Sequence, residues 1–198
     1  MNEIVLKGIL RDIQYSHSVG NIEYDKANLI VKRSDGKEDI IALKFKKYSN
    51  RYNENDYVEL IGNVRSYSQK LDDGKNKVEI YVFTYFDLPV DYPEELTNQF
   101  ILQGRVCKIN PLHITQSGKQ NLQFILANNI ITDNAKKINN YIPIVCWGKN
   151  AELANQLSIN EELMVRGELH SRTYTKTFED GHSEIRVATE GVMFDFLK

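Results

Sequence analysis

The sequence predicts an all-β chain built from two copies of one small barrel, and the first observation behind this prediction is internal similarity. Residues 4–13 match residues 100–109 at an offset of 96, and residues 58–64 match residues 163–169 at an offset of 105. Self-similarity of this kind indicates a repeated structural unit. The offset grows along the chain, as expected when loops of different lengths separate matching strands.

The second observation is a proline-containing boundary between the two copies. Pro89 and Pro93 cannot donate hydrogen bonds to a sheet, so they indicate a short and rather stiff connector. We therefore predict a first domain at residues 1–88, a connector at residues 89–97 and a second domain at residues 98–198.

The third observation is the order of the strands, which is the same in both copies. Segments rich in β-branched and aromatic residues and bounded by turn residues predict five strands in each copy. In the first copy these are residues 4–13, 26–33, 38–45, 57–67 and 78–83. In the second copy they are residues 99–109, 121–128, 141–147, 162–174 and 183–189.

Two further features identify the type of barrel. Gly8 and Gly62 lie inside predicted strands, where glycine allows the sharp bends of a small barrel. Alanine and leucine recur at helical spacing over residues 149–157, which predicts a short helix after the third strand of the second copy, whereas residues 46–56 of the first copy predict a loop. Five strands with a helix after the third describe the OB-fold, a five-stranded Greek-key barrel.

Composition limits the class of protein. The chain has 198 residues, of which 41% are hydrophobic, and a net charge of −2 shared about equally by the two copies, so any basic surface must be local. No apolar run reaches the ~18 residues of a membrane span, and the start lacks the pattern of a secretory signal. Because the chain has two cysteines and no CxxC pair, we expect a reduced, cytoplasmic protein.

Patterns typical of enzymes and of cofactor sites are missing from the sequence. The four histidines lack metal-binding spacing, and there is no phosphate-binding loop, dinucleotide fingerprint or serine elbow. Cys107 and Cys146 lie on predicted strands, so we expect small core residues rather than nucleophiles. We expect no enzymatic activity, no metal and no cofactor.

The predicted strand at residues 141–147 has two unlike faces. With period-two alternation, Ile142, Ile144 and Cys146 share one face, which is small and apolar enough for a barrel core. The opposite face holds Tyr141, Pro143, Val145 and Trp147. Two large aromatic residues at the ends of an outward face favour a stacking platform. The alternative is that Trp147 is half buried and only closes the barrel.

Basic and aromatic residues alternate in the hairpin between the fourth and fifth strands of both copies. The second copy has Arg172, Tyr174, Lys176 and Phe178, and the first copy has Arg65, Tyr67 and Lys70. This pattern suits phosphates together with stacked bases, and its presence in both copies favours that interpretation over an ordinary solvated hairpin. The densest basic and aromatic cluster is Lys44, Phe45, Lys46, Lys47, Tyr48, Arg51 and Tyr52. The pattern leaves the face of Tyr81 and Phe83 open, and it places Phe124 in the core.

Residues 100–189 resemble the bacterial single-stranded DNA-binding protein family. The resemblance is carried by GRV at 104–106, TQSGK at 115–119, YIPIVCWGKNAE at 141–152 and VRGEL at 165–169, together with Phe124 and Tyr174. It implies that Tyr141, Trp147 and Tyr174 stack on DNA bases and that Arg105, Lys149 and Arg172 contact phosphates. Residues 1–87 resemble the family less closely, through Leu6, Gly8, Gly62 and residues 65–67, and there Phe45 aligns with Trp147 at an offset of 102.

These observations predict sequence-nonspecific binding of single-stranded DNA in DNA replication, recombination or repair. The alternative is a primosomal or other replication accessory protein that uses the same folds mainly for protein contacts. The residues predicted to bind nucleic acid are Tyr141, Trp147, Tyr174, Arg105, Lys149, Arg172, Lys176, Phe45, Lys47, Tyr48, Arg65 and Tyr67.

The resemblance also implies an assembly. Members of the family present four OB-folds and this chain supplies two, so we expect a homodimer. The predicted pairing edge is strand one of either copy, at residues 3–8 and 99–104, and the competing arrangement is a monomer whose two copies pair with each other. The chain ends GVMFDFLK at residues 191–198, without the disordered linker and acidic tip of the family, so we do not expect a tail that recruits replication partners.

Overall fold

The structure, a computed structural model, describes residues 1–33, 35–47, 52–70, 76–89, 98–131, 136–178 and 180–197. Within these residues it contains eleven strands and one helix. The elements of the first unit are β1 (Asn2–Val19), β2 (Ile22–Lys32), β3 (Glu38–Lys46), β4 (Tyr57–Lys70) and β5 (Asn76–Pro89). Those of the second unit are β6 (Asn98–Ile109), β7 (His113–Ile114), β8 (Gln120–Ile131), β9 (Lys137–Trp147), α1 (Lys149–Ala154), β10 (Glu162–Thr177) and β11 (Ser183–Leu197).

The first unit is a closed five-stranded barrel. Strand β1 is long enough to pair with β2 along one part of its length and with β4 along another. Strands β2 and β3 form a hairpin, β4 and β5 form a second hairpin, and β3 meets β5 in a short parallel contact at Leu43 and Val82. This order of pairing is that of the OB-fold, so the predicted fold is confirmed for the first unit.

The second unit repeats the same pairings. Strand β6 pairs with β8 and β10, β8 pairs with β9, and β10 pairs with β11. A parallel contact between Ile144 of β9 and Gly191 of β11 closes the barrel, as Leu43 and Val82 do in the first unit. The helix α1 follows the third long strand, as predicted, and buries Ala151 and Ala154.

The two barrels are joined through their first strands. Strands β1 and β6 pair antiparallel, with Asn2 opposite Leu102, Ile4 opposite Phe100 and Leu6 opposite Asn98. The prediction that strand one pairs with another chain is therefore wrong: both of these edges are used inside one chain, and all eleven strands belong to one continuous sheet. Of the predicted connector at residues 89–97, Pro89 is the last residue of β5 and residues 90–97 lie outside the described residues, so its stiffness stays a prediction.

The pairing of β1 with β6 gives the chain an approximate twofold axis through the Ile4–Phe100 pair. Asn2 illustrates the symmetry, because its side-chain amide exchanges two hydrogen bonds with the backbone of Val64, at 2.8 Å each. Asn98 does the same with the backbone of Leu169, at 2.7 and 3.1 Å. Each unit therefore anchors the start of its first strand to its fourth strand by the same device.

Each unit also reaches across to the other barrel with a serine of its fourth strand. Ser66 accepts a hydrogen bond from the backbone N–H of Tyr141 and donates its own N–H to Oδ1 of Asn140, at 2.8 and 3.0 Å. Ser171 makes the matching contacts with the N–H of Ile40, at 2.8 Å, and with Asp39. These reciprocal serine contacts fix the hairpin of each unit against the third strand of the other.

Close backbone approach explains the glycines inside the strands. A Cβ atom at Gly8 would lie 2.4 Å from the carbonyl oxygen of Ile30, and one at Gly62 would lie 2.5 Å from that of Phe83. Any larger side chain would push two paired strands apart. The interpretation of both glycines as sites of sharp bending is consistent with this contact.

Several elements are longer than the sequence predicts, and one cysteine is misplaced by the prediction. Strands β1 and β2 extend to a hairpin tip at Gly20, and β11 extends to Leu197. Cys146 lies in the core, whereas Cys107 is exposed, so the expectation of a core position is wrong for Cys107. The pairing of β6 with β8 shifts register between Val106 and Lys108, and this bulge turns Cys107 outward.

Candidate nucleic-acid interface

The outward face of β9 presents two aromatic side chains. Ile142, Ile144 and Cys146 are fully buried, as their alternation predicts, whereas Tyr141 is 47% exposed and Trp147 is 45% exposed. Trp147 lies outside the core cluster, so it does not fill the barrel. Val145, which the sequence assigns to the same outward face, is buried and offers no surface to a ligand.

Arg105 of β6 lies in register with Tyr141 of β9, with β8 between the two strands. Ala127 pairs with both residues, so Arg105 and Tyr141 point outward from one row of the sheet. The guanidinium of Arg105 forms an exposed ion pair with the carboxylate of Glu162 at 2.8 Å. A phosphate would therefore have to compete with this carboxylate, which an exposed pair permits at small cost. Lys149 is exposed at the first turn of α1, two residues beyond Trp147.

The β10–β11 hairpin carries cations against aromatic rings, as the alternating pattern predicts. Arg172 lies 5.5 Å from the ring centre of Tyr174, and Lys176 lies 4.9 Å from that of Phe178. His182 stacks on the ring of Phe178, with the two ring centroids 4.2 Å apart. These contacts order the hairpin side chains within the chain itself.

The first unit bears an aromatic and basic surface that sequence patterns identified only in part. Lys44 lies 4.4 Å above the ring centre of Tyr81 and 6.0 Å from that of Tyr67. Arg65 lies 3.9 Å from the ring centre of Phe83, which also contacts Tyr24. The structure thus places Tyr81 and Phe83 on the outward face, half-buried under cations.

Tyr24 and His17 are further members of this surface that sequence reasoning missed. Their rings stack at a centroid distance of 4.8 Å near the tip of the β1–β2 hairpin. The signal for that hairpin was present, because Gly20 and Asn21 separate two strand-forming segments. It identifies the hairpin but not the faces of its residues.

Phe45 does not take the place of Trp147, so the predicted binding role of Phe45 is corrected. The parallel contacts make Leu43 equivalent to Ile144, and counting onward makes Phe45 equivalent to Cys146. Phe45 is accordingly 6% exposed and packs edge-to-face on Tyr52, with centroids 5.4 Å apart. A slip of one residue in the alignment moves a side chain to the opposite face of a strand. Lys46 is the residue that matches Trp147.

The remaining predicted residues of the first unit differ in their surroundings. Lys47 is exposed and forms an ion pair with Glu23 at 3.0 Å. Tyr48 lies outside the described residues. Partial burial lowers the pKa of Lys44, which makes its charge easier to remove than that of a solvated lysine.

In the part of the chain that the structure describes, no three His, Cys, Asp or Glu side chains come together to hold a metal ion. Burial raises the pKa of Cys146 to about 12, so its thiol stays protonated at neutral pH. The described residues include no helix that is both long and apolar enough to cross a membrane.

Comparison with solved structures bears on the fold of the whole chain. Wild-type single-stranded DNA binding protein from Thermus aquaticus superposes on 100% of this chain and 92% of its own, at 18% identity and a TM-score of 0.74. The tandem arrangement of OB-folds is therefore confirmed. PriB from Ralstonia solanacearum matches 50% of the chain at 14% identity, with a TM-score of 0.39 that carries no argument about function.

Comparison with protein families bears on the second unit. A single-stranded DNA-binding protein from Caldanaerobacter subterraneus subsp. tengcongensis is 29% identical over 102 residues, which cover 50% of this chain and 68% of that protein. The family model for single-strand binding proteins matches residues 97–195, which is 99 of the 198 residues and includes the whole aromatic face of β9. On this match the chain belongs to the single-strand binding protein family.

Proposed function

We propose that the chain binds single-stranded DNA without sequence preference, in DNA replication, recombination or repair. The observation that carries the proposal is the outward face of β9, where Tyr141 and Trp147 are each nearly half exposed while the residues between them that face inward are buried. OB-folds bind oligonucleotides on this part of the barrel. The family of the second unit and the named relatives support the same ligand.

The proposed mechanism combines base stacking with phosphate neutralisation. Every base offers a π-face, so stacking on Trp147 and Tyr141 contributes roughly 1–3 kcal/mol per base without selecting sequence. Arg105, Lys149 and Arg172 would supply the cations, and each phosphate contact releases a condensed counterion. Duplex DNA keeps its bases stacked on one another, so its bases cannot reach these rings.

The experiment that tests this proposal is a fluorescence titration with oligo-dT. Trp147 is the single tryptophan of the chain, so its emission reports on this face alone. We expect quenching on binding, an affinity that falls steeply as salt rises, and much weaker binding of duplex DNA. Trp147→Ala should weaken binding by about 1–3 kcal/mol, with the thermal midpoint nearly unchanged because the ring is exposed.

A matched control uses Tyr85→Ala. Tyr85 is exposed to a similar degree, but its hydroxyl donates to the carboxylate of Glu3 at 3.3 Å, on a surface with an acidic group. Its removal should leave the affinity for oligo-dT unchanged. If the folded wild type binds neither oligo-dT nor duplex at low salt, single-strand binding is ruled out and the protein-contact alternative gains support.

The assembly and the domain limits also remain proposals. We propose that the protein is cytoplasmic and forms a homodimer that presents four OB-folds. The edges of β1 and β6 pair with each other within one chain, so the dimer must use another surface. Sedimentation equilibrium of the 22.9 kDa chain should give twice that mass at micromolar concentration, and the monomer mass would contradict the dimer. We keep residues 1–88, 89–97 and 98–198 as the division into domains.

A further inference from the structure

A groove of about 490 Å³ runs between the two units. Its floor is the outward face of β2 and β3, its first wall is the β4–β5 hairpin of the first unit, and its second wall is the β10–β11 hairpin of the second unit. The volume lies in the range of pockets that hold small organic groups. The aromatic and basic residues that line it are Lys26, Lys44, Tyr67, Tyr81 and Tyr174, and the lining also includes the acidic residues Asp12 and Glu79.

The wall from the second unit is held rigidly over the first. Ser171 of β10 donates its N–H to the carboxylate of Asp39 and accepts a hydrogen bond from the N–H of Ile40. The guanidinium of Arg33 donates two hydrogen bonds, of 2.5 and 2.6 Å, to the fully buried carboxylate of Asp39. Arg33 also donates to the carbonyl oxygen of Ser171 at 3.3 Å. Tyr174 is three residues further along this anchored strand.

The lining of the groove suits a nucleotide better than an apolar ligand. The floor is apolar at Ile40 and Ala42, which fits the face of a base, while Tyr67 belongs to the first wall and Tyr174 to the second. The ammonium group of Lys44 lies between the rings of Tyr81 and Tyr67. Aromatic rings and cations in one groove are the combination that binds stacked bases and their phosphates.

We propose that this groove binds a segment of the single strand, with Tyr174 and Tyr67 contacting the same one or two nucleotides. The inference rests on the proposed function and deepens it. Tyr174, although it belongs to the second unit, then works on the face of the first, and it is separate from the platform formed by Tyr141 and Trp147.

The positions that match Tyr174 and Tyr67 in the other unit carry different residues in the sequence. Counting from the matched glycines Gly62 and Gly167, the position of Tyr174 is taken by Gln69 in the first unit. The position of Tyr67 is taken by Arg172 in the second. The aromatic pair across the groove therefore occurs on the side of the first unit.

Double-mutant cycles test the proposal, with the affinity for fluorescein-labelled oligo-dT measured by anisotropy on the full chain. Tyr174→Ala and Tyr67→Ala should each weaken binding by about fivefold to a hundredfold. If both rings contact the same nucleotides, the double variant should lose at least about threefold less than the product of the single losses. Tyr174→Ala combined with Trp147→Ala should instead give the product within about twofold.

Two controls separate the proposal from loss of folding. Val187→Glu adds a negative charge at an exposed position of the same wall and should weaken binding without touching either tyrosine. Tyr85→Ala, outside the groove lining, should change nothing. Thermal melting of every variant checks that the fold is intact.

The outcomes distinguish this inference from the proposed function. Wild type that fails to bind oligo-dT overturns both. If the wild type binds normally, two results overturn the groove alone. The first is that Tyr174→Ala leaves the affinity unchanged. The second is that the affinity losses of Tyr174→Ala and Tyr67→Ala multiply in the double variant, whereas those of Tyr174→Ala and Trp147→Ala give less than their product.

Discussion

The two units share a scaffold but differ on the surfaces that we propose as binding surfaces. Matched glycines, the anchoring asparagines Asn2 and Asn98, and the bridging serines Ser66 and Ser171 occur at corresponding positions in both. On the outward face of the third strand, in contrast, the second unit has Trp147 where the first has Lys46. The groups that hold the barrels together are kept by packing, whereas an exposed position tolerates a change of chemistry.

The contacts made by the two serines show the same divergence in the interior. Ser171 meets Asp39, whose charge is compensated by Arg33, while Ser66 meets the neutral Asn140. Val31 pairs with Asp39 and Asn128 pairs with Asn140, so Val31 and Asn128 are matching positions. Two residues further along the chain in each unit, Ile130 of the second unit matches Arg33 of the first. Within the described residues, Nδ2 of Asn140 has no hydrogen-bond partner. One contact is therefore ionic and fully paired, and the other is neutral and incompletely paired.

The largest expected effect tests the equivalence of Phe45 with Cys146 rather than with Trp147. Phe45→Ala should lower the free energy of unfolding by about 3 kcal/mol or more, because it empties a buried site in the first barrel. Trp147→Ala, at an exposed site, should lower it by less than about 1 kcal/mol. Urea denaturation followed by circular dichroism measures both. Equal losses would mean that the two aromatic residues do occupy matching positions.

A smaller effect tests the ionic and neutral serine contacts against each other. Asp39→Asn leaves the guanidinium of Arg33 partly buried without its carboxylate, and should lower the free energy of unfolding by about 2 kcal/mol. Ser171→Ala serves as the companion variant, since it removes the hydroxyl from the same contact and keeps the ion pair. A loss from Asp39→Asn no larger than that from Ser171→Ala would show that the ion pair adds nothing.

The smallest effect sharpens the difference between the two outward faces. Lys44→Met removes a partly buried charge from the face of the first unit, and should weaken oligo-dT binding severalfold while reducing the salt slope by about 1. The free energy of unfolding should not fall, since burial of the Lys44 ammonium group is itself unfavourable. Affinity titrations at several salt concentrations, with Lys149→Met as the variant for the other face, measure this.

The lowered pKa of Lys44 gives the same variant a pH signature. A lysine with a lowered pKa loses its charge at a lower pH than a solvated lysine does, so wild-type affinity should begin to fall earlier as the pH rises from neutral. The Lys44→Met variant should lack this early decline. Identical pH profiles for the two proteins would contradict a phosphate contact at Lys44.

Much of the fold could be predicted from local sequence, because strands and their turns leave a periodic signal. The alternation of Ile142, Ile144 and Cys146 correctly separated the core from the outward face of β9. The same alternation gave no absolute register between the units, so a one-residue slip put Phe45 on the wrong face. Cys107 was misplaced for a related reason, since a bulge interrupts period two without any residue type that marks it.

Some residues of the candidate site stood out in the sequence, but their arrangement did not. Tyr67 and Tyr174 each stood out from basic and aromatic alternation, yet their positions in one groove depend on the pairing of β1 with β6 and on Ser171. Those contacts join residues more than ninety positions apart in the sequence, and no local pattern encodes them. The same limit hid the cation that lies over Tyr81.

The approximate twofold axis through Ile4 and Phe100 has a consequence for direction. A dimer of identical barrels offers a strand the same surface from either end, because rotation exchanges the two halves, and any substitution appears twice. Here the halves are covalently joined and have different residues at matching positions, so a substitution appears once. A polynucleotide, with unlike 5′ and 3′ ends, crosses two surfaces in a fixed order, and the two polarities of a bound strand are no longer equivalent.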